Sequence, residues 1–159
     1  MGVQSFNQDL LESCGRSHGV EDVRESISII QKARVSGKLR SWSLDLISAL
    51  PGLTPARWSE TLREAIRAGP DHISVYDLQI EEGTPFSKWH EQGKITTPQD
   101  EDAAEMYSEA VSTLTQGGYE HYEVSNYSKP GTSTQMHADS LQGLTGIETQ
   151  CNVRSSISS

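Results

Sequence analysis

Residues 42–80 read WSLDLISALPGLTPARWSETLREAIRAGPDHISVYDLQI, and this stretch decides the fold class. Trp42 to Ile47 is a short apolar run that breaks at Leu50-Pro51-Gly52, as a buried strand followed by a turn does. Thr54-Pro55 then supplies an N-cap and a proline at the first helical position, where its missing N–H costs no hydrogen bond. Trp58, Leu62, Ala65 and Ile66 recur at helical spacing until Gly69-Pro70 ends the run. A second strand follows from His72 to Ile80, with Ile73, Val75, Leu78 and Ile80 as its apolar residues. Strand, helix and strand joined by short links predict parallel strands with a helical crossover. The handedness rule for such crossovers does not choose between an open sheet and a barrel.

The flanks continue the alternation. Upstream, Gly2-Val3-Gln4-Ser5-Phe6 reads as the tail of a strand, and Asn7 caps a short helix from Gln8 to Cys14 that Gly15 closes. Val20, Val23, Ile27 and Ile30 mark a longer helix, acidic in its first turns and basic near its stop at Gly37. Downstream, Gly83-Thr84-Pro85 opens a short helix with Phe86 and Trp89. Thr97-Pro98 repeats the cap-plus-proline signal, with Asp100 at the third helical position. Met106, Tyr107, Ala110, Val111 and Leu114 form that helix's inward face, Gly117-Gly118 ends it, and Tyr119 to Val124 reads as a last strand. Trp42, Trp58 and Trp89 are expected in packing roles. From Gly131 onward Ser, Thr and Gln dominate with no sustained period, and residues 131–159 read as a disordered tail.

Composition limits the functions open to this chain. Its 159 residues suffice for one domain, and the 34% hydrophobic content is low for a complete compact one. A mean hydropathy of -0.54 agrees. The net charge of -9 argues against broad contact with nucleic acid phosphates or anionic lipid. Cys14 and Cys151 form no metal-ligand spacing, and reduced intracellular thiols are expected. No apolar run reaches the roughly 20 residues of a transmembrane helix, and the N-terminus has no signal-peptide pattern. There is no P-loop, no GxGxxG and no nucleophile elbow. His121 and Glu123 alternate as two potential ligands on one strand face, for which an ordinary surface strand is the better reading.

Four strings carry a family resemblance. Gly2-Val-Gln-Ser-Phe-Asn with Gly15-Arg16-Ser-His18 resembles the GVQSF…LGRxH stretch of HemW-type radical S-adenosylmethionine (SAM) proteins. Asp45-Leu-Ile with Leu50-Pro51-Gly52 and Thr54 resembles their DLIxGLPGQT segment. His72 through Phe86 is similar to their SxYxLxIExGTPF block. Gly118-Tyr-Glu-His-Tyr-Glu-Val-Ser-Asn126-Tyr with Lys129-Pro-Gly131 is similar to their GYxxYExSNxxxPG. The strings fall in the family's order and spacing over residues 2 to 131. The last two favour the HemW branch over the oxygen-independent coproporphyrinogen oxidases.

The resemblance implies an α/β fold, the C-terminal portion of a partial (β/α)6 radical SAM barrel. Residues 1–130 would hold that portion and the start of the HemW C-terminal region. SAM would bind at the C-terminal ends of the strands, as ligands do in α/β barrels generally. By the same match Gln4, Arg16 and Asp45 correspond to SAM-contacting positions. Asp45, read as ending its strand, suits ribose hydroxyls; Arg16 offers a planar fork to the methionine carboxylate; Gln4 can donate and accept at the sugar. Two departures accompany the match. The family's CxxxCxxC motif, which holds its [4Fe–4S] cluster, is absent, so the chain alone is expected to be inactive in radical chemistry. The HNxxYW motif associated with haem is replaced by Thr132-Ser-Thr-Gln-Met136-His137, with His137 one position late.

Three functional readings follow. The first is a piece or truncated isoform of a HemW-like haem chaperone that binds SAM and haem and has a haem-accepting protein partner. The second is an oxygen-independent coproporphyrinogen III oxidase. The third is a non-catalytic interaction fragment. As written the chain reads as cytoplasmic; a eukaryotic full-length form with a transit peptide would be mitochondrial or plastidic.

Overall fold

The computed structural model describes residues 1–80 and 82–132. His137, Cys151, Glu81 and the disorder expected after Thr132 lie outside the described residues. The elements run β1 (Gly2–Gln4), α1 (Gln8–Ser13), α2 (Val20–Val35), β2 (Ser43–Ser48), α3 (Pro55–Ala68), β3 (His72–Asp77), α4 (Pro85–Glu91), α5 (Asp100–Gln116), β4 (Glu120–Glu123) and β5 (Asn126–Ser128). They build one sheet in the order β1-β2-β3-β5-β4, in which β1, β2 and β3 are parallel.

Local chemistry explains most boundaries. Thr54 Oγ1 accepts the Arg57 N–H at 3.4 Å, Pro55 opens α3, and Gly69 closes it at φ +73°, a conformation costly for a residue with Cβ. Asn7 Oδ1 accepts the Leu10 N–H to start α1. That helix ends in a Schellman motif. Gly15, at φ +65°, donates to Glu12 O at 2.9 Å, and Arg16 donates to Leu11 O at 3.0 Å.

Strand alternation sorts the sheet into two faces. Val3, Leu44, Leu46, Ile73, Val75 and Tyr127 point into a single apolar core with Val23 and Ile27 of α2, Trp58 and Leu62 of α3, and Met106 and Leu114 of α5. Each such side chain contributes about 1.5–3 kcal/mol by leaving water. Trp58 adds a buried hydrogen bond from Nε1 to Met106 O at 2.8 Å, which ties α3 to α5. Most alternate positions are polar, Ile47 being an apolar exception. Asp45, Ser74, Asn126 and Glu123 stand in one register row, and Ser43, His72, Ser128 and Glu120 in the next.

The structure corrects five sequence expectations. The last strand is a hairpin, with β5 antiparallel to β3 and β4 at the outer edge, so the sheet is mixed. β3 stops at Asp77, three residues before Ile80. α5 starts two residues late: its N-cap is Gln99, whose N–H donates to Asp102 Oδ2 at 3.3 Å, so the acid at the third helical position is Asp102. Trp89 is 36% exposed, whereas Trp42 and Trp58 are buried as expected. Asp45 is the third residue of six in β2 and does not end the strand.

Candidate functional site

The candidate site begins at β1. Gln4 is only 2% exposed, yet neither Oε1 nor Nε2 of its carboxamide has a hydrogen-bond partner. Burying both poles of an amide unsatisfied costs about 1–3 kcal/mol per group. Its backbone adds to the cost, because Gln4 sits at φ +67° in the left-handed region. The amide turns back over Gly2, whose Cα faces Asp45 in the neighbouring strand. Val3 lies in the core, so Gly2 and Asp45 share the polar face. The Gln4 amide thus lies over Gly2, the register partner of Asp45, where β1 meets β2.

Asp45 keeps its carboxylate part-exposed on that face, 3.7 Å from the α-ammonium of Met1. Arg16 is half-buried in the bend that the Schellman motif of α1 creates, on the loop leaving β1. The loop leaving β2 contains Ala49 at φ +56°, a second strained residue at the C-terminal end of the parallel strands. There Ser48 Oγ donates to Asp77 Oδ1 at 2.5 Å, linking the ends of β2 and β3.

A further group was not singled out by the sequence. His72 is buried on the polar face, shares a 2.8 Å hydrogen bond between Nε2 and the Tyr122 hydroxyl, and leaves Nδ1 without a partner. Burial holds its pKa below the usual imidazole value, against the upward pull of Asp45 and Glu123. Ser128, its register partner, is fully buried with an unpartnered Oγ. The alternation of His72 and Ser74 with Ile73 and Val75 was the available signal, because it sets the two polar residues on the face opposite the core. His121 and Glu123 do not converge. A bulge between them leaves His121 stacked on Tyr127 at 4.6 Å and Glu123 accepting from Asn126 Nδ2 on the other face.

No family profile matches the chain. Among curated proteins, the haem chaperone HemW of Synechocystis is 44% identical over 131 residues, which are 82% of this chain and 31% of the relative. The mitochondrial radical S-adenosyl methionine domain-containing protein 1 of Danio rerio is 39% identical over 129 residues, 81% of this chain and 28% of its own length. The solved coproporphyrinogen III oxidase HemN of Escherichia coli, described as a radical SAM enzyme, superposes with a TM-score of 0.69 at 25% identity, over 90% of this chain and 31% of that one. The aligned segment is homologous to HemW-type radical SAM proteins over part of their length. The chain spans about a third of the length of these relatives. Its sheet is accordingly a partial domain of the radical SAM fold.

The family implies SAM and a [4Fe–4S] cluster, and the described residues treat the two differently. The orphaned Gln4 amide fits a ligand that both donates and accepts hydrogen bonds. For a cluster the fit fails. Cys14 is the sole cysteine among the described residues, and it is buried in the core on the other face. No group of three His, Cys, Asp or Glu residues suited to a metal ion occurs among the described residues. No helix among them is long and apolar enough to cross a membrane.

Proposed function

We propose that this chain is the SAM-holding piece of a HemW-type haem chaperone. The observation that carries the proposal is the buried, unpartnered carboxamide of Gln4, folded over the register partner of Asp45. Polar groups that folding leaves unsatisfied mark places where another molecule completes the hydrogen bonding. In this reading Asp45 accepts from ribose hydroxyls, Gln4 pairs with the sugar, and Arg16 meets the methionine carboxylate from the loop after α1. In a complete radical SAM protein, SAM supplies the reactive group once a cluster delivers an electron. This chain holds and orients the ligand, and cleavage requires the clustered CxxxCxxC thiolates, which its two distant cysteines do not supply.

Residues 1–130 form the ligand-holding unit in this proposal, and 131–159 are a tail without a role in it. The haem chaperone reading is supported by the 44% identity to HemW, against 25% to the oxidase. The mitochondrial relative supports an organellar place for a eukaryotic full-length form. Equilibrium dialysis of the full chain against SAM tests the proposal. Saturable one-to-one binding that weakens about tenfold or more in Asp45→Asn is expected. A folded chain that takes up no SAM at millimolar concentration contradicts it.

A further inference from the structure

We propose that Gly2 is a positioning residue that sets the Gln4 carboxamide in its ligand-facing place. The inference rests on the SAM reading above and deepens it. A Cβ built on Gly2 would come within 2.7 Å of Gln4 Nε2, closer than real Cβ contacts allow. The atom it meets is the far end of a flexible side chain, with Gln4 Cδ 3.9 Å away and no backbone atom within 4 Å. An added methyl group is therefore relieved by swinging the amide aside, with little disturbance to β1. Gly2 is not required for its own backbone, because it is absent from the glycines at positive φ. What the missing side chain provides is space, and the amide that fills it has no hydrogen bond to hold it there. On the other side of that space stands Asp45, the register partner of Gly2.

A glycine with a purely structural role and a glycine that positions an amide respond differently to substitution. In the first case Gly2→Ala lowers stability, whatever residue occupies position 4. In the second it leaves stability in place, displaces the amide, and loses its effect once the amide is gone.

The experiment uses the full chain as wild type, Gly2→Ala, Gln4→Ala and the double variant, with three readouts: melting temperature, SAM binding by dialysis, and the Gln4 side-chain amide resonances of 15N-labelled protein. Gly2→Ala is expected to melt within about 2 °C of wild type, to shift the Gln4 amide resonances, and to bind SAM roughly tenfold more weakly, as loss of one or two hydrogen bonds would. In the Gln4→Ala background it should change SAM affinity less than twofold. Gly2→Ala binding SAM as wild type does, with unmoved Gln4 resonances, overturns the role of Gly2 and leaves the SAM reading intact. Equal losses in both backgrounds also overturn it. A wild-type chain that binds no SAM, while Gly2→Ala still moves the Gln4 resonances, overturns the SAM reading and with it the ligand role of Gly2.

Discussion

Asp71 and Gln4 are both polar side chains buried almost completely, at 5% and 2% exposure, and their surroundings are opposites. Asp71 sits just before β3, where Oδ2 accepts the Trp42 N–H at 3.0 Å and the Arg34 guanidinium reaches both carboxylate oxygens at 3.0 and 3.1 Å. Its carbonyl takes the Lys129 N–H, and the neighbouring Pro70 carbonyl takes the Tyr119 hydroxyl at 2.8 Å. These bonds join α2, the α3–β3 link and the residues after β5 into one clasp. Gln4, at the opposite end of the parallel strands, has no such bond. A satisfied buried network specifies a structure, whereas an unsatisfied buried amide is retained against a stability cost. The two ends therefore differ in chemistry: one is a satisfied network that holds the sheet together, and the other leaves a buried amide unsatisfied, the place the proposal gives to a ligand.

The largest expected effect lies in the clasp. Asp71→Ala leaves the Trp42 N–H and the Arg34 guanidinium without their acceptor, and should cost about 3 kcal/mol in urea unfolding. A loss below about 1 kcal/mol would dissolve the contrast from the clasp side. Alkaline titration sharpens it. Burial, reinforced by Asp71, raises the Tyr119 pKa to about 12, and burial does the same for Tyr127. A folded pKa above the unfolded value near 10 means that the stability is whole below pH 10 and disappears as pH rises towards 12. Melting temperatures should hold up to about pH 9.5 and fall across that window, and Tyr119→Phe should flatten part of the fall.

At the open end the expected effects are smaller and of opposite sign. Gln4→Met keeps the shape, removes two unsatisfied polar atoms, and should stabilise the chain by about 1 kcal/mol. His72 lies between the two ends. Its pKa is lowered by burial, so the folded state resists protonation. That contribution is complete above pH 6.5 and is lost as pH falls below it. Urea midpoints should decline between pH 7 and 5, and His72→Gln should decline less. Haem titration followed at the Soret band should give no one-to-one shift. Tight stoichiometric binding would show that residues outside the family's haem motif suffice.

What the sequence reveals here depends on how local each cause is. The ends of α1 and α3 were legible because Asn7, Thr54, Pro55, Gly15 and Gly69 act on neighbours a few positions away. The β4–β5 hairpin was not, because Glu123-Val124-Ser125-Asn126 lacks an Asn-Gly or Asp-Gly turn signal and β5 is placed by its pairing with β3, 52 to 56 residues earlier. Thr97-Pro98 misled because a second acid, Asp102, allows the cap to form at Gln99. The resemblance singled out Gln4, Arg16 and Asp45, and the structure adds that Gly2, over which the Gln4 amide folds, is the register partner of Asp45. The clasp at Asp71 left no trace in the sequence, since its partners Arg34, Trp42 and Lys129 come from α2, the link before β2 and the residue after β5. Nor did the orphaned amide, whose place over Gly2 is set by the folded backbone.

The central claim is that Gln4 is kept unsatisfied for a ligand. Paired melting and SAM dialysis of wild type and Gln4→Met test it most directly. The account predicts a variant that melts higher than wild type and binds SAM about tenfold more weakly. A variant that melts lower, or one that binds SAM as tightly as wild type, would contradict it.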